Sequence, residues 1–525
     1  RVHQNMNRGI RWLPLGVVFG AGFFLRLYSY HHTYVLNPDG ILYIQQARAL
    51  SYGLFDSITT CYSWFSPLPI LIAVNYKIFG NWLIAAKIVS VIFGTATLFP
   101  LYLILRQFLD KHSALITLLV FAVNPLFVFL SADVLRDPVY WFLMTLGLCL
   151  FIRNNNRQGF SISMSLSCLF FILAVWTRIE AIIFVAVSPI FLLVTEHERK
   201  WSRFFSFMIP IVILFLAGLA LLVLCRTNIN EFIALERVFE MVTEIGDEYA
   251  TMRCRISELI DHTPKEMSRF FLPEVRNLLW WLALGILLVE MTRTFFLPFF
   301  LVFIIGLAGA GKRIRQDVNL CYLTLMGIVA IILLYFQILH DWIMTKRFVA
   351  LFFFPVFVFT GFGFKRIADI IMRRLPGREI GIYVAIGLLI FFVALPKNLK
   401  ENREDKVVFQ EIGRYITTRE GNGHEILTAG SFKRIKLIHF FSNLNYKGAP
   451  CFSKSNRIGR HVPVNISFLR DNNFTYFVWD EENRSAAELE MFRKEYAQDL
   501  TEVGEWQDKK LGRLVVFRVE PPSVY

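Results

Sequence analysis

The sequence predicts an α-helical polytopic membrane protein with a small soluble α/β domain at its C-terminal end. Three observations predict this. The 525 residues are 55% hydrophobic and only 18% charged, with a mean hydropathy of +0.49, whereas soluble chains carry roughly 25% charged residues. Apolar runs close to the ~20 residues that cross a bilayer recur from residue 12 to residue 396. Lys and Arg gather between those runs, in RQFLDKH (106–112), RNNNRQ (153–158), EHERKWSR (196–203), GKRIRQD (311–317) and FKRIADIIMRRLPGRE (364–379). Alternate loops are neutral or acidic; residues 226–277 hold ten acids against seven bases. The net charge of +14 therefore reports topology by the positive-inside rule and implies no nucleic-acid partner.

The elements follow in order. Arg1, Arg8 and Arg11 precede an apolar run at 12–30 that is too long for a signal peptide and lacks a small-residue cleavage site, so it reads as a retained first helix running outward. An external loop at 31–66 contains NPDGILYIQQARALSYG (37–53), which turns helical after Asp39, and SPLPILIAVNYKIFG (66–80) is short enough to lie in the interface. Further spans are expected at 82–105, 113–131, 138–152, 160–176, 180–195 and 203–225, followed by a long external loop at 226–277. Parity of the basic loops favours an interfacial segment around LLWWLALGILL and one span near 295–310; spans at 319–339, 348–364 and 380–396 complete about eleven, with up to thirteen open.

An odd count leaves the chain after Pro396 outside. The division is thus a membrane domain at 1–397 and an extracytoplasmic α/β domain at 398–525. In the latter, EILTAG (425–430), FTYFVW (474–479) and GRLVVFRV (512–519) have strand character, while 405–420 and 485–498 have helical spacing. Seven cysteines include no CxxC and no zinc spacing. Cys149, Cys168, Cys225 and Cys321 lie in apolar runs; Cys61, Cys254 and Cys451 fall on the outer side, where one disulfide is an open expectation. Sequons at Asn465, Asn473 and Asn483 matter only in a eukaryotic secretory compartment.

Charges at membrane edges are costly and mark candidate chemistry. Four groups sit at outer helix ends: Asp39; Asp133, Arg136 and Asp137 in SADVLRDPVYW; Arg178 and Glu180 in WTRIEAIIF; and His340, Asp341, Lys346 and Arg347 in HDWIMTKRFVALFFFP. Any one of them alone reads more readily as a helix end that faces water or anchors the helix. As a set on one face they suit proton removal from a hydroxyl and stabilisation of a departing phosphate, with Arg fitted to phosphate by its fork of donors.

These motifs, in this order over about 1–400, resemble the membrane glycosyltransferases of the GT-C fold, in the branch of protein O-mannosyltransferases and the aminoarabinose transferase of lipid A. The likeness is carried by Arg26 in FFLRLY, by Asp39, Tyr43, Ala47, Leu50 and Gly53 as D-x3-Y-x3-A-x2-L-x2-G, and by the proline-leucine stretch and helix at 66–94. It continues in LRDPVYWFLM, WTRIEAIIF and KRFVALFFFP. The resemblance implies sugar transfer from a polyprenyl-phosphate donor to a lipid, glycan or protein acceptor on the periplasmic face of a bacterial inner membrane. By position, Asp39 matches the catalytic base, Asp137 the second-loop acid that positions acceptor or base, and Arg347, with Lys346, the site of the donor phosphate. Arg178 and Glu180 match a structural or donor-side pair, read mainly as structural, and Tyr43, Asp133, Arg136, His340 and Asp341 are supporting residues. The implied reaction is an inverting single displacement. Gly40 departs from the second acid that many relatives carry there, leaving Asp39 alone or with Asp137. No cofactor is certain; a divalent metal is left open but not indicated, because no external DxD occurs. The rival readings are a lipid-linked glycan flippase, a glycan polymerase or ligase, and a non-catalytic relative.

Overall fold

The computed structural model describes residues 2–155, 161–195, 200–225, 245–263, 270–421, 423–452, 457–458, 466–482 and 485–521. The side chains of Arg8 and Arg11, the segment 226–244 of the long loop, and the sequons' Asn465 and Asn483 lie outside the described residues. The chain divides into two compact units. One comprises Arg1–Phe24, Phe93–Val128 and Asp137–Asn398; the other comprises Leu25–Ile92, Phe129–Arg136 and Leu399–Tyr525.

The polytopic helical fold is present, and each of the eleven predicted runs is helical. Among the described residues, however, six helices are long and apolar enough to cross a membrane alone: Trp12–His31, Trp82–Phe108, Lys200–Ala220, Val318–Asp341, Ala350–Arg374 and Glu379–Asn398. Two bent pairs raise the number to eight. The eleven expected spans include shorter helices that do not meet this length on their own. Ile162–Thr177 and Ile182–Val194 have 16 and 13 residues, short of a span, and Asp137–Asn155 ends on Arg153, Asn154 and Asn155. The single span expected near 295–310 is likewise only the 12-residue helix Leu297–Ala308, bent 104° from Leu279–Phe295.

That break and the second one share a polar junction in the first unit. Phe296 takes φ 68° between its two helices, where a non-glycine residue is strained. Asn124 separates Lys111–Val123 from Pro125–Ser131, which are bent by 56°. Its Nδ2 donates to the carbonyls of Thr294 (3.0 Å) and Phe295 (3.2 Å), its Oδ1 accepts from the Leu126 N–H, and Asn398 Nδ2 donates to the Val123 carbonyl (2.8 Å). Helix ends without such partners are costly away from water. Thr294 Oγ1 also donates to the Lys346 carbonyl (3.1 Å), fixing the segment before Arg347. Around this junction Phe121, Phe127, Trp141, Phe295, Phe353 and Phe354 interlock, with ring centroids 4.6–6.4 Å apart. The helices Leu297–Ala308 and Ala350–Arg374 meet backbone to backbone. A Cβ on Gly306 would strike the Phe359 carbonyl, and one on Gly363 that of Val302, the small-residue contact that lets membrane helices approach closely.

In the second unit the C-terminal portion forms a four-stranded mixed sheet of order β1-β2-β4-β3, from Thr428–Gly430 (β1), Tyr476–Asp480 (β2), Leu500–Asp508 (β3) and Gly512–Val519 (β4). β1 and β2 run parallel, and the other pairs antiparallel. β2 and the middle of β4 are buried, and Phe477, Trp479, Val515 and Phe517 form a core with Leu489 and Phe492 of the Ala486–Glu495 helix. That helix starts on a capping box of Ser485 and Glu488. β3 and the helices Ile435–Ser442 and Ile466–Asp471 were not among the predicted elements.

Candidate active site

Asp39 lies in the first turn of the Pro38–Ser51 helix. The start of that helix is fixed by its sequence: Asn37 caps it, its Oδ1 accepting from the Asp39 N–H (2.9 Å), and Pro38 supplies the φ of a first helical residue. Asn37 is in turn held by Asp133, which is fully buried. Asp133 Oδ1 accepts from the N–H groups of Asn37 (3.0 Å) and Val134 (2.8 Å), and its Oδ2 accepts from Arg403 Nη2 (2.5 Å). Arg403 Nη1 donates to the Val35 carbonyl (2.9 Å). A buried charge needs this pairing to be tolerated, so Asp133 acts here as a clamp on the loop carrying Asp39. Gly40 is buried against the same loop: a Cβ there would lie 2.8 Å from Val134 Cβ and 3.0 Å from its carbonyl. A side chain at position 40 would thus overpack this contact.

Asp39 itself is half-buried. Burial lowers the pKa of Lys436, in the Ile435–Ser442 helix, and the charge of Asp39 opposes that shift, so the two face one another electrostatically. Tyr43, one turn on, is buried with its ring edge-on to Tyr62 at 6.2 Å. Gln46 Nε2 donates to the carbonyls of Ile58, Tyr62 and Trp64 (2.9–3.2 Å), folding the loop over the helix. Arg48 is buried and donates to the carbonyls of Asn443 (3.0 Å) and Tyr446; burial lowers its pKa to about 10. Cys61 and Cys451 form a disulfide with Cα atoms 5.4 Å apart. Arg26 is buried, its Nε donating to Ser131 Oγ (3.3 Å). All of these belong to the second unit.

The first unit gathers a different set. Arg178, buried, pairs with Asp137 through Nη1 and with Glu180 through Nη2 (3.0 Å) and Nε (3.4 Å). Its guanidinium lies over Phe348 (4.5 Å) and near the ring of Tyr140 (5.8 Å), an arrangement that favours a cation. Asp137 begins the Asp137–Asn155 helix, where a carboxylate meets the positive end of the dipole. Arg347 directly precedes Phe348 and is half-buried, whereas Lys346 is exposed. His340 Nδ1 and Asp341 Oδ1 pair at 2.7 Å. Arg136 is half-buried in the second unit. Among the described residues no three His, Cys, Asp or Glu side chains gather as a metal ion would require.

Sequence reasoning missed Arg48, Arg403 and Lys436. Arg48 carried a signal, an arginine in the middle of QARAL, but Arg403 and Lys436 sit in polar stretches where a charge is unremarkable.

With the geometry in hand, the comparisons are specific. The family described as dolichyl-phosphate-mannose-protein mannosyltransferase matches residues 67–224. No individually characterised protein sequence matches the chain. Among solved structures, ArnT from Cupriavidus metallidurans in the apo state is similar over 98% of both chains, with TM-score 0.57 and 15% identity. The same protein bound to undecaprenyl phosphate aligns over 97% of this chain and 98% of its own, at TM-score 0.57 and 14% identity. The Archaeoglobus fulgidus oligosaccharyltransferase, solved with Zn and sulfate, aligns over 90% of this chain and 69% of its own, at TM-score 0.52 and 15% identity. At such identities the likeness is one of fold. Residues 67–224 are thus similar in sequence to the dolichyl-phosphate-mannose-protein mannosyltransferase family, and the chain shares the GT-C fold of ArnT.

Proposed function

We propose that the protein transfers a sugar from a polyprenyl-phosphate donor to a hydroxyl-bearing acceptor by inverting displacement. The observation that carries this reading is the Asn37–Asp133–Arg403 frame, which holds a half-buried carboxylate, Asp39, at a capped helix start. In this role Asp39 accepts the acceptor's proton as its oxygen attacks C1 of the sugar, and the C1–O bond to the lipid phosphate breaks with its electron pair leaving on the phosphate. Arg347 stabilises that leaving phosphate, with Lys346 as a second cation beside it. The Asp137–Arg178–Glu180 cluster keeps Phe348, and so the start of the Ala350–Arg374 helix behind Arg347, in place. A lipid phosphate bound by ArnT supports the donor class. The disulfide supports an extracytoplasmic location for the loop 31–66 and the segment after residue 398, since such bonds persist in oxidising compartments.

The test is transfer from a lipid-linked sugar to acceptors extracted from the native envelope, comparing wild type with Asp39→Asn. The variant keeps the size and cap of the residue but is a far weaker base. We expect transfer to fall by 10²-fold or more with donor binding unchanged; wild-type turnover in Asp39→Asn would refute the base assignment.

A further inference from the structure

At the opposite end of the Ala350–Arg374 helix from Arg347, the first unit contains a second concave site. Arg366 lies about 24 Å along the helix axis from Ala350, at 1.5 Å per residue, so this site is separate from the one proposed for the donor phosphate. The cavity has a volume of about 450 Å³ and is lined by Arg313, Lys365, Arg366 and Asp369 over a floor that includes Ile305 and Phe362. We propose that it binds the phosphate head of an anionic membrane lipid, separately from any substrate.

Four features point to that ligand. Three cations face one carboxylate, a net positive lining. Lys365 Nζ has a carboxylate 3.4 Å away, Asp110 Oδ2, but among the described residues neither Arg313 nor Arg366 has an acidic partner. The Arg313 guanidinium is placed over the Phe362 ring at 4.8 Å, which fixes its plane and leaves its edge donors for a phosphate. Gly309 makes room for Arg366, since a Cβ there would sit 3.2 Å from Arg366 Nη1. The fourth feature selects a lipid over a soluble anion. Leu301, Ile304 and Ile305, three and four apart on the Leu297–Ala308 helix, are all exposed, so an apolar stripe leads from the cavity along the membrane-facing surface. A headgroup in the cavity would lay its acyl chains on that stripe. Basic pockets between membrane helices at the positively charged loop face are suited to such headgroups.

The experiment uses the full-length protein, delipidated in a neutral detergent. It is titrated with phosphatidylglycerol, with phosphatidylcholine and with inorganic phosphate, reading thermal stability and bound lipid by native mass spectrometry. Wild type is expected to retain phosphatidylglycerol in preference to phosphatidylcholine. Arg313→Gln with Arg366→Gln should weaken phosphatidylglycerol binding roughly tenfold or more. Gly309→Ala, which removes no charge but crowds Arg366, should weaken it as well. Arg373→Gln with Arg374→Gln, basic residues on the same helix that do not line the cavity, should change it by less than about threefold. Equal loss in both double variants would mean diffuse surface charge and overturn the proposal. Protection by inorganic phosphate as strong as that by the lipid would overturn it in favour of a soluble anion.

Discussion

Gly40 follows Asp39 directly, and its neighbour Val134 leaves no room there for a side chain. Gly40→Asp is expected to destabilise the fold by about 1–3 kcal/mol through overpacking. Val134→Ala in the same chain should not restore it, because the nearest atom is the Val134 Cβ and the next its carbonyl, and alanine keeps both. Thermal unfolding of the single and double variants checks both. At this scale the acids and arginines that interrupt apolar sequence were legible: Asp39, Asp137, Arg178 and Glu180 stand out because a charge beside lipid is expensive. Their partners were not. Asp133 meets Arg403 across 270 residues of sequence, and Arg48 meets Asn443 across 395, and no local pattern encodes contacts of that range.

Elements were legible in proportion to their periodicity. Every apolar run predicted as helical is helical, whereas the two breaks at Asn124 and Phe296 follow from side-chain bonds to backbone carbonyls that hydropathy does not register. LTEVGEWQD escaped because β3 is an edge strand whose residues alternate irregularly between buried and exposed, with a register shift between Glu502 and Gly504. The helix Ile435–Ser442 escaped because eight residues are fewer than the window over which a helical period is read from sequence. It carries a testable feature. His439 is buried, and among the described residues neither ring nitrogen has a hydrogen-bond partner. Burial, with the charge of Arg48 adding to it, pushes its pKa down to about 4 from 6.5. The unfolded chain therefore binds the extra proton between those values, so stability is full above pH 6.5 and falls as pH drops towards 4. The loss is about 3 kcal/mol. His439→Leu should flatten that slope, as measured by denaturant unfolding across pH 4–7.

For the whole molecule, the alternation of apolar runs with basic loops sufficed to predict a polytopic fold, but not how many helices cross on their own, since length is settled by where each helix breaks. The Cys61–Cys451 bond was only one of several pairings the sequence left open. Reducing it, or replacing both cysteines by serine, should lower stability by about 2–4 kcal/mol, seen as a lower melting temperature under dithiothreitol in the wild type and no further change in the double variant. The same bond sets a clock on biogenesis. Cys451 follows Cys61 by 390 residues, so at ~5–20 residues per second the ribosome delivers it roughly 20 to 80 s later. Throughout that interval Cys61 lacks its native partner, and Cys254, exposed and unbonded in the finished protein, is made before Cys451. Where these cysteines mature in an oxidising compartment, a strain lacking disulfide isomerase is expected to accumulate the Cys61–Cys254 mispaired form, visible on non-reducing gels.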